Sequence, residues 1–206
     1  MKQREVWNKI APKWQEFRQK PHPDIGEFVR QQKGLILDVG CGNGRNMIKG
    51  KKYVGFDFAE NQLIQAKKKA EKENIDAVFV IASADKIPFK DNTFDAVVVG
   101  NVIHTMESNS RKESVKEIKR VMKSGAKAII SVWNKNQPRF FMKPKESYIP
   151  WKIGEKKYMR YYYLFGLEEL KKFLEKNGFK VLEIFGSKKK AFKLFPMDII
   201  AIIQKT

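Results

Sequence analysis

The sequence predicts an α/β fold: a doubly wound, mostly parallel sheet covered by helices on both faces. Three observations predict it. Strand-like apolar runs alternate with helical patterns until about residue 134. A glycine-rich turn, "LDVGCGNG" at 37–44, follows the first of those strands. Acidic residues stand at three successive strand ends, Asp38, Asp57 and Asp85. At 206 residues the chain is long enough for one such sheet, and no linker, repeat or low-complexity stretch divides it, so a single domain over 1–206 is expected.

The first strand is the short apolar run Gly34-Leu35-Ile36-Leu37, which feeds the tight turn. The second, "YVGFDF", carries Asp57, and the third is "AVFVIAS". Ala84-Asp85 and "KIPFKDNTFDAVVVG" then lead through the fourth strand, and "AIISVWN" is the fifth. Helical patterns fall at about 24–32, 60–73, 109–123 and 166–177. "FKVLEIF" and "DIIAIIQ" follow with no helix between them, which predicts an antiparallel end to the sheet. At the start, Trp7, Ile10, Trp14 and Phe17 lie at helical spacing and Pro12 suits the first turn of a second helix, so a helix pair forming a lid over about 1–33 is expected. Residues 135–165, "KNQPRFFMKPKESYIPWKIGEKKYMRYYYLF", read as a long basic, aromatic insertion of the kind that carries function.

The turn does not follow the dinucleotide spacing. Gly40, Gly42 and Gly44 are two residues apart, and Asp38 would repel a pyrophosphate but suit a ligand that carries an amine. Arg45-Asn46 stand where a phosphate-binding loop needs Lys-Ser/Thr. Asp57, nineteen residues after Asp38, is placed to meet ribose hydroxyls; a loop or helix-capping acid is its other reading. Asp-x-Gly-x-Gly-x-Gly after a strand resembles the first motif of class I S-adenosylmethionine (SAM) methyltransferases, although a purely structural crossover would also use such a turn. That resemblance implies SAM as cofactor, and a Rossmann-like sheet of seven strands with the last reversed. It also implies a binding set of Asp38, Gly40, Cys41, Gly42, Asn43, Gly44, Asp57, Phe58, Ala84, Asp85 and Asn101, with the loop on the methionine end and Asp85, otherwise a turn former, on the adenine amine.

Composition narrows the classes. The N-terminus lacks an apolar core segment and no apolar run approaches 18 residues, so neither a signal peptide nor a membrane span is expected and the location should be cytoplasmic. With one cysteine, Cys41, there is no intramolecular disulfide, and with only His22 and His104 no zinc cluster is expected. Cys41 reads as a small residue for a crowded loop. Lys and Arg number 42 against 23 Asp and Glu, a net charge of +19, which favours a polyanionic partner, nucleic acid first. A Lys-rich thermophile surface is the other reading. Aromatics interleaved with cations in 135–165 suit stacking on unpaired bases and neutralising phosphates, or packing as a lid.

A narrower resemblance runs along nearly the whole chain. "VWNKIAPKWQEFRQKPHPDIGEFV", "LDVGCGNGRN", "NVIHTM", "YIPWK", "MRYYYLF" and "IIAIIQK" look like the methyltransferases that esterify 5-carboxymethyluridine at the tRNA wobble position. It implies tRNA as substrate, a small zinc-binding activator subunit as a further partner, and His104, Arg160 and Tyr161 as substrate-positioning residues. Lys143, Lys145, Trp151, Lys152, Lys156, Lys157 and Arg160 would then contact RNA. The chain departs from the family at His104-Thr105, at Tyr163 and at Lys123-Ser124-Gly125-Ala126. A carboxylate nucleophile is already ionised at neutral pH, so no general base is needed. Arg160 would be a bidentate clamp on the carboxylate and His104 a hydrogen-bond donor. A surface Arg160–Glu155 pair and a core histidine are the bland alternatives. At the level of function, a SAM enzyme of a small molecule and a non-catalytic SAM-fold binder of RNA or a partner stay open.

Overall fold

The computed structural model describes residues 2–17, 19–188, 190–191 and 195–206. The helices are α1 (Gln3–Phe17), α2 (Pro23–Gln31), α3 (Glu60–Glu73), α4 (Ser108–Val121) and α5 (Leu167–Lys176). The strands are β1 (Leu35–Val39), β2 (Lys52–Asp57), β3 (Asp76–Ile81), β4 (Phe94–Gly100), β5 (Met122–Trp133), β6 (Glu146–Ile153) and β7 (Lys156–Tyr163). They are followed by β8 (Phe179–Gly186), β9 (Lys190–Ala191), β10 (Phe195–Pro196) and β11 (Asp198–Lys205). Seven of them form one sheet in the order β3-β2-β1-β4-β5-β11-β8. β1 to β5 run parallel, and β11 is antiparallel to both β5 and β8. The mostly parallel sheet with its last strand reversed is therefore the observed one.

Alternation along the central strands divides their side chains between two cores. Leu37, Val39, Val97, Val99 and Ile130 pack with Val115 and Ile118 of α4 and Leu170 and Leu174 of α5. Ile36, Ala96, Val98 and Ile129 pack with Ile25, Phe28 and Val29 of α2 and Leu63 and Ala70 of α3. Strands buried on both faces read as continuous apolar runs, which is why this part of the fold was legible. Arg120 at the end of α4 donates to the carbonyls of Ile87 and Phe89, and Glu117 accepts from the Ile87 N–H, so α4 holds the segment that follows Asp85.

Two expectations are corrected. The N-terminal helix pair is one helix, α1, with Pro12 inside it. Proline at that position leaves the Asn8 carbonyl without its helical donor. Asn61 of α3 supplies one from its side-chain amide at 3.2 Å, and its own backbone N–H donates to Asn8 Oδ1 at 3.1 Å. A tertiary contact thus compensates the break that the local sequence predicts. The expected long loop over 135–165 is mostly a β6–β7 hairpin preceded by a 3-10 turn at Pro138–Phe140. Gly154, with φ +57°, opens the two-residue connection Gly154-Glu155 and supplies the positive φ that such a turn requires. Ser147, Ile149, Trp151 and Ile153 share the more buried face of β6. Pro150 in the middle of that run hides the strand from sequence reading; it is tolerated because β6 is an edge.

If the Asn8–Asn61 contact holds α1 in place, Asn61→Ala should raise amide exchange across residues 3–17 while exchange in β1 and β4 stays unchanged. Equal protection of α1 in both proteins would show that its packing alone suffices.

Candidate active site

The carboxyl ends of β1, β2 and β4 open into a cavity of about 400 Å³. Its lower wall is the glycine-rich turn. Gly40 and Gly42 have φ of +57° and +55°, and a Cβ at Gly40 would come within 2.7 Å of the Val102 side chain, so the turn can pass this close to the start of the β4–α4 connection only as glycine. Asp57, at the end of β2, accepts the N–H groups of Gly42 at 3.0 Å and Ala59 at 2.8 Å. One carboxylate therefore ties the turn to the start of α3 and also faces the cavity.

The acids here carry unusual electrostatics. Burial pushes Asp38 up to about 8, opposed by Arg45 and reinforced by Asp57. Burial also pushes Asp57 up to about 6 against the hydrogen bonds that it accepts. The Cys41 thiol is raised well above its usual range by burial and by both carboxylates, and its sulfur packs beside Gly55, so it is a space-filling residue and not a nucleophile.

Nine of the eleven residues expected to hold the cofactor line the cavity: Gly40, Cys41, Gly42, Asn43, Asp57, Phe58, Ala84, Asp85 and Asn101. Asp38 and Gly44 do not. Asp38 lies within β1 in register with Gly55 and Val98, its Oδ2 without a hydrogen-bond partner, and Gly44 packs on Ala66. Asn101 is held at φ +63° while its N–H reaches Ser131 O and Oγ, both at 3.0 Å. Its Oδ1 and the Oε1 of Gln62, also on the cavity wall, are buried and unpartnered. Unpaired buried oxygens are uncommon and mark acceptors waiting for a ligand's donors. These acceptors and the carboxyl groups of Asp57 and Asp85 fit the amine, hydroxyl and adenine N–H groups of SAM.

Another part of the lining is aromatic. Trp133, ending β5, lies 4.0 Å from Tyr162 of β7 at an interplanar angle of 6°, and His104 stacks on Tyr162 at 5.3 Å. His104 is fully buried, both ring nitrogens lack partners, and burial holds it down to about 3, opposed by Asp198 and assisted by Arg111 and Arg160. It is a neutral hydrogen-bonding group at the cavity wall, not a cation. Tyr161 lines the cavity beside it, with its hydroxyl 3.4 Å from Arg111 Nη2.

Arg160 does not line the cavity. It is buried behind Tyr162, donates from Nη1 to the Tyr162 hydroxyl at 2.8 Å, and lies within 6 Å of the rings of Trp7, Trp14 and Trp151. The Arg160–Glu155 surface pair is thereby excluded. Trp151 closes this cluster against Trp14 and Phe17, and Lys145 pairs with Glu169, whereas Lys143, Lys152, Lys156 and Lys157 are exposed. Tyr163, where the family carries histidine, sits off the cavity: Arg111 lies 3.8 Å over its ring and its hydroxyl donates to Glu169.

The roof comes from the N-terminal segment that the sequence analysis expected as a lid. Lys2, Gln3, Trp7 and Trp14 of the α1 region cover the cavity, and Gln3 ties α1 to β7 by donating to the Met159 carbonyl and accepting from the Tyr161 N–H. The seven-residue spacing of the two tryptophans was visible, but which face they cover was not. Gln62, Trp133 and Tyr162 were missed as lining residues.

Asp38 and Asp57 retain protons in the folded chain well above their ordinary 3.8. The stability they contribute is full below about 4 and is lost as pH rises toward 6 for Asp57 and 8 for Asp38. Asp38→Asn should therefore lose less stability than the parent between pH 5 and pH 8, read as urea midpoints of the ligand-free proteins; parallel pH curves would disprove the assignment.

A family model described as a methyltransferase domain matches residues 37–130. A protein of Encephalitozoon cuniculi named as a methyltransferase is 31% identical over 160 residues, covering 74% of this chain and 73% of its own. The tRNA (carboxymethyluridine(34)-5-O)-methyltransferase of Schizosaccharomyces pombe is 29% identical over 208 residues, covering 87% of this chain and 89% of its own. Among solved structures, a SAM-dependent methyltransferase of Methanosarcina mazei matches with a TM-score of 0.75 at 20% identity, over 90% of this chain and 98% of that one. With the loop, the acids and the reversed seven-stranded sheet already in place, the chain belongs to the class I SAM-dependent methyltransferases, and SAM is its cofactor.

Proposed function

We propose that this methyltransferase esterifies the carboxylate of 5-carboxymethyluridine at the wobble position of tRNA. The observation that carries the reading is the stack of Trp133, Tyr162 and His104, which lines the same cavity as the cofactor loop. The two unpartnered nitrogens of the neutral His104 imidazole offer one donor and one acceptor to the polar edge of a pyrimidine. The +19 charge and the relative named for this reaction, aligned over 87% of the chain, support an RNA substrate.

When bound, SAM supplies an activated methyl group. The work left to the protein is positioning, since a carboxylate is ionised at neutral pH and attacks without a base. Asp57, Asp85 and Asn101 would hold the ribose and adenine ends, with the unpartnered Asn101 Oδ1 and Gln62 Oε1 as acceptors on the cavity wall. His104 donates to the substrate. Arg160 acts through Tyr162: its guanidinium donates to the hydroxyl oxygen, which makes that hydroxyl a stronger donor toward a carboxylate in the cavity. α1 covers the reacting groups and excludes water. The small-molecule reading is favoured by the α1 roof alone and predicts no salt-dependent RNA affinity.

The decisive assay is transfer of labelled methyl to two matched tRNAs, one with 5-carboxymethyluridine and one with uridine at the wobble position, with and without cell extract to supply an activator subunit. A base-labile label on the modified tRNA alone is the expected result; label on neither under both conditions would refute the substrate. His104→Ala should lower kcat/KM by about 10–100-fold, the worth of one hydrogen bond to a charged group. Arg160→Lys should lower it about 10-fold, because an ammonium cannot keep the planar stacking and the Tyr162 contact together. Unchanged rates in either variant would remove that residue from the mechanism.

A further inference from the structure

The turn that precedes the β6–β7 hairpin presents two apolar side chains to solvent on a fixed backbone. Phe141 is 85% exposed and Met142 90% exposed. They do not belong to a loose loop. Phe140 N–H bonds Gln137 O at 2.8 Å, Phe141 N–H bonds Pro138 O at 3.2 Å and Lys143 N–H bonds Phe140 O at 3.0 Å. Gln137 is itself buried and donates to the Asn134 carbonyl at 3.2 Å. Phe140 points inward, 2% exposed, and stacks on Trp133 at 5.5 Å. Trp133 continues the stack to Tyr162 and His104 at the cavity wall. The exposed pair is therefore anchored, by its immediate neighbour in the chain, to the aromatic wall of the active site.

Holding a phenylalanine and a methionine almost wholly in water is unfavourable, and a rigid turn that does so is preorganised for a partner. The charge around the pair identifies that partner: residues 135–165 carry eight Lys and Arg against two Glu, and Arg139 and Lys143 flank the knuckle directly. An aromatic tip between cations matches unpaired bases between phosphates.

We propose that Phe141, supported by Met142, is a base-stacking wedge for single-stranded RNA: it takes the face exposed in the anticodon loop when the target nucleotide turns out of the stack into the cavity. A base cannot enter a cavity while stacked, and apolar wedges are a recurring way to hold the vacated position. The inference rests on the RNA reading given above and goes beyond it by naming the contact that lies outside the cavity.

The test is binding of a fluorescently labelled anticodon stem-loop to the full chain in the presence of SAM, read by anisotropy for the parent, Phe141→Ala, Phe141→Trp and Phe141→Lys, with SAM affinity measured by calorimetry as the check on folding. Phe141→Ala should weaken the complex about 10-fold, the order expected for one lost stacking partner, at both low and high salt. Phe141→Trp should restore it. Equal affinity of the parent and Phe141→Ala, or full restoration by Phe141→Lys, would overturn the wedge, the latter because charge alone then suffices. A parent that binds no RNA overturns it as well. Methyl transfer to the modified stem-loop is scored separately: a parent that binds the loop but transfers no methyl refutes the proposed reaction while the wedge is still decided by affinity, and undiminished transfer and binding by Phe141→Ala refutes the wedge alone.

Discussion

The whole site depends on one topological constraint. β1 has β2 on one side and β4 on the other, so the chain reverses its direction of travel across the sheet at that strand. Connections from neighbouring strands then leave to opposite faces, and a crevice opens at the carboxyl ends that no backbone fills. The glycine-rich turn, Asp57 and Asn101 each sit at the end of a strand bordering the crevice, or just beyond it. Their convergence follows from the strand order and requires no local persuasion. What local chemistry adds is closeness: the turn can pass Val102 because residue 40 has no side chain.

Charge is separated in space. The protein carries +19 overall, yet two buried acids lie at the cofactor turn, Asp57 on the cavity wall and Asp38 behind it within β1, and both raise the Cys41 thiol. The acids at the turn are thereby kept apart from the basic exterior, whose charge favours polyanionic partners. Burial makes this separation possible, because it keeps the carboxylates from being satisfied by surface lysines, and its consequence is a folded state that holds protons at unusually high pH.

α1 and the hairpin act as one body at the substrate end. Arg160 lies among Trp7, Trp14, Trp151 and Tyr162, four rings contributed by the helix and both strands of the hairpin. A guanidinium is weakly hydrated and stacks on aromatic faces, so it can sit in such a cluster while still donating to the Tyr162 hydroxyl. The roof and the aromatic wall are thereby coupled through a single charge, with Gln3 bridging them along the β7 backbone.

The sheet and the cofactor side of the site were legible because their information is local. Buried parallel strands are apolar throughout, glycine spacing is written in consecutive residues, and an acid at a strand end needs only its own strand to be placed. Asp57 could be named for that reason, whereas Asn101 was named only through the family resemblance. Asp38 was named for its type, but its depth within β1, beside Gly55 and Val98, depends on strand register and could not be read from the run of residues. The substrate side is assembled from contacts between segments far apart in sequence. Pro12 predicts a break that Asn61 cancels by bonding Asn8, 53 residues away, and Pro150 disguises an edge strand as a loop. Arg160 reads as a carboxylate clamp, or else as a surface cation, until tryptophans of α1 and β6 surround it. The amino-acid sequence therefore specifies the sheet, the cofactor loop and the chemistry available to them, whereas which aromatic covers which cation is settled only when α1, β5 and the hairpin pack together, because the energy of those contacts exists only between surfaces that folding brings into reach.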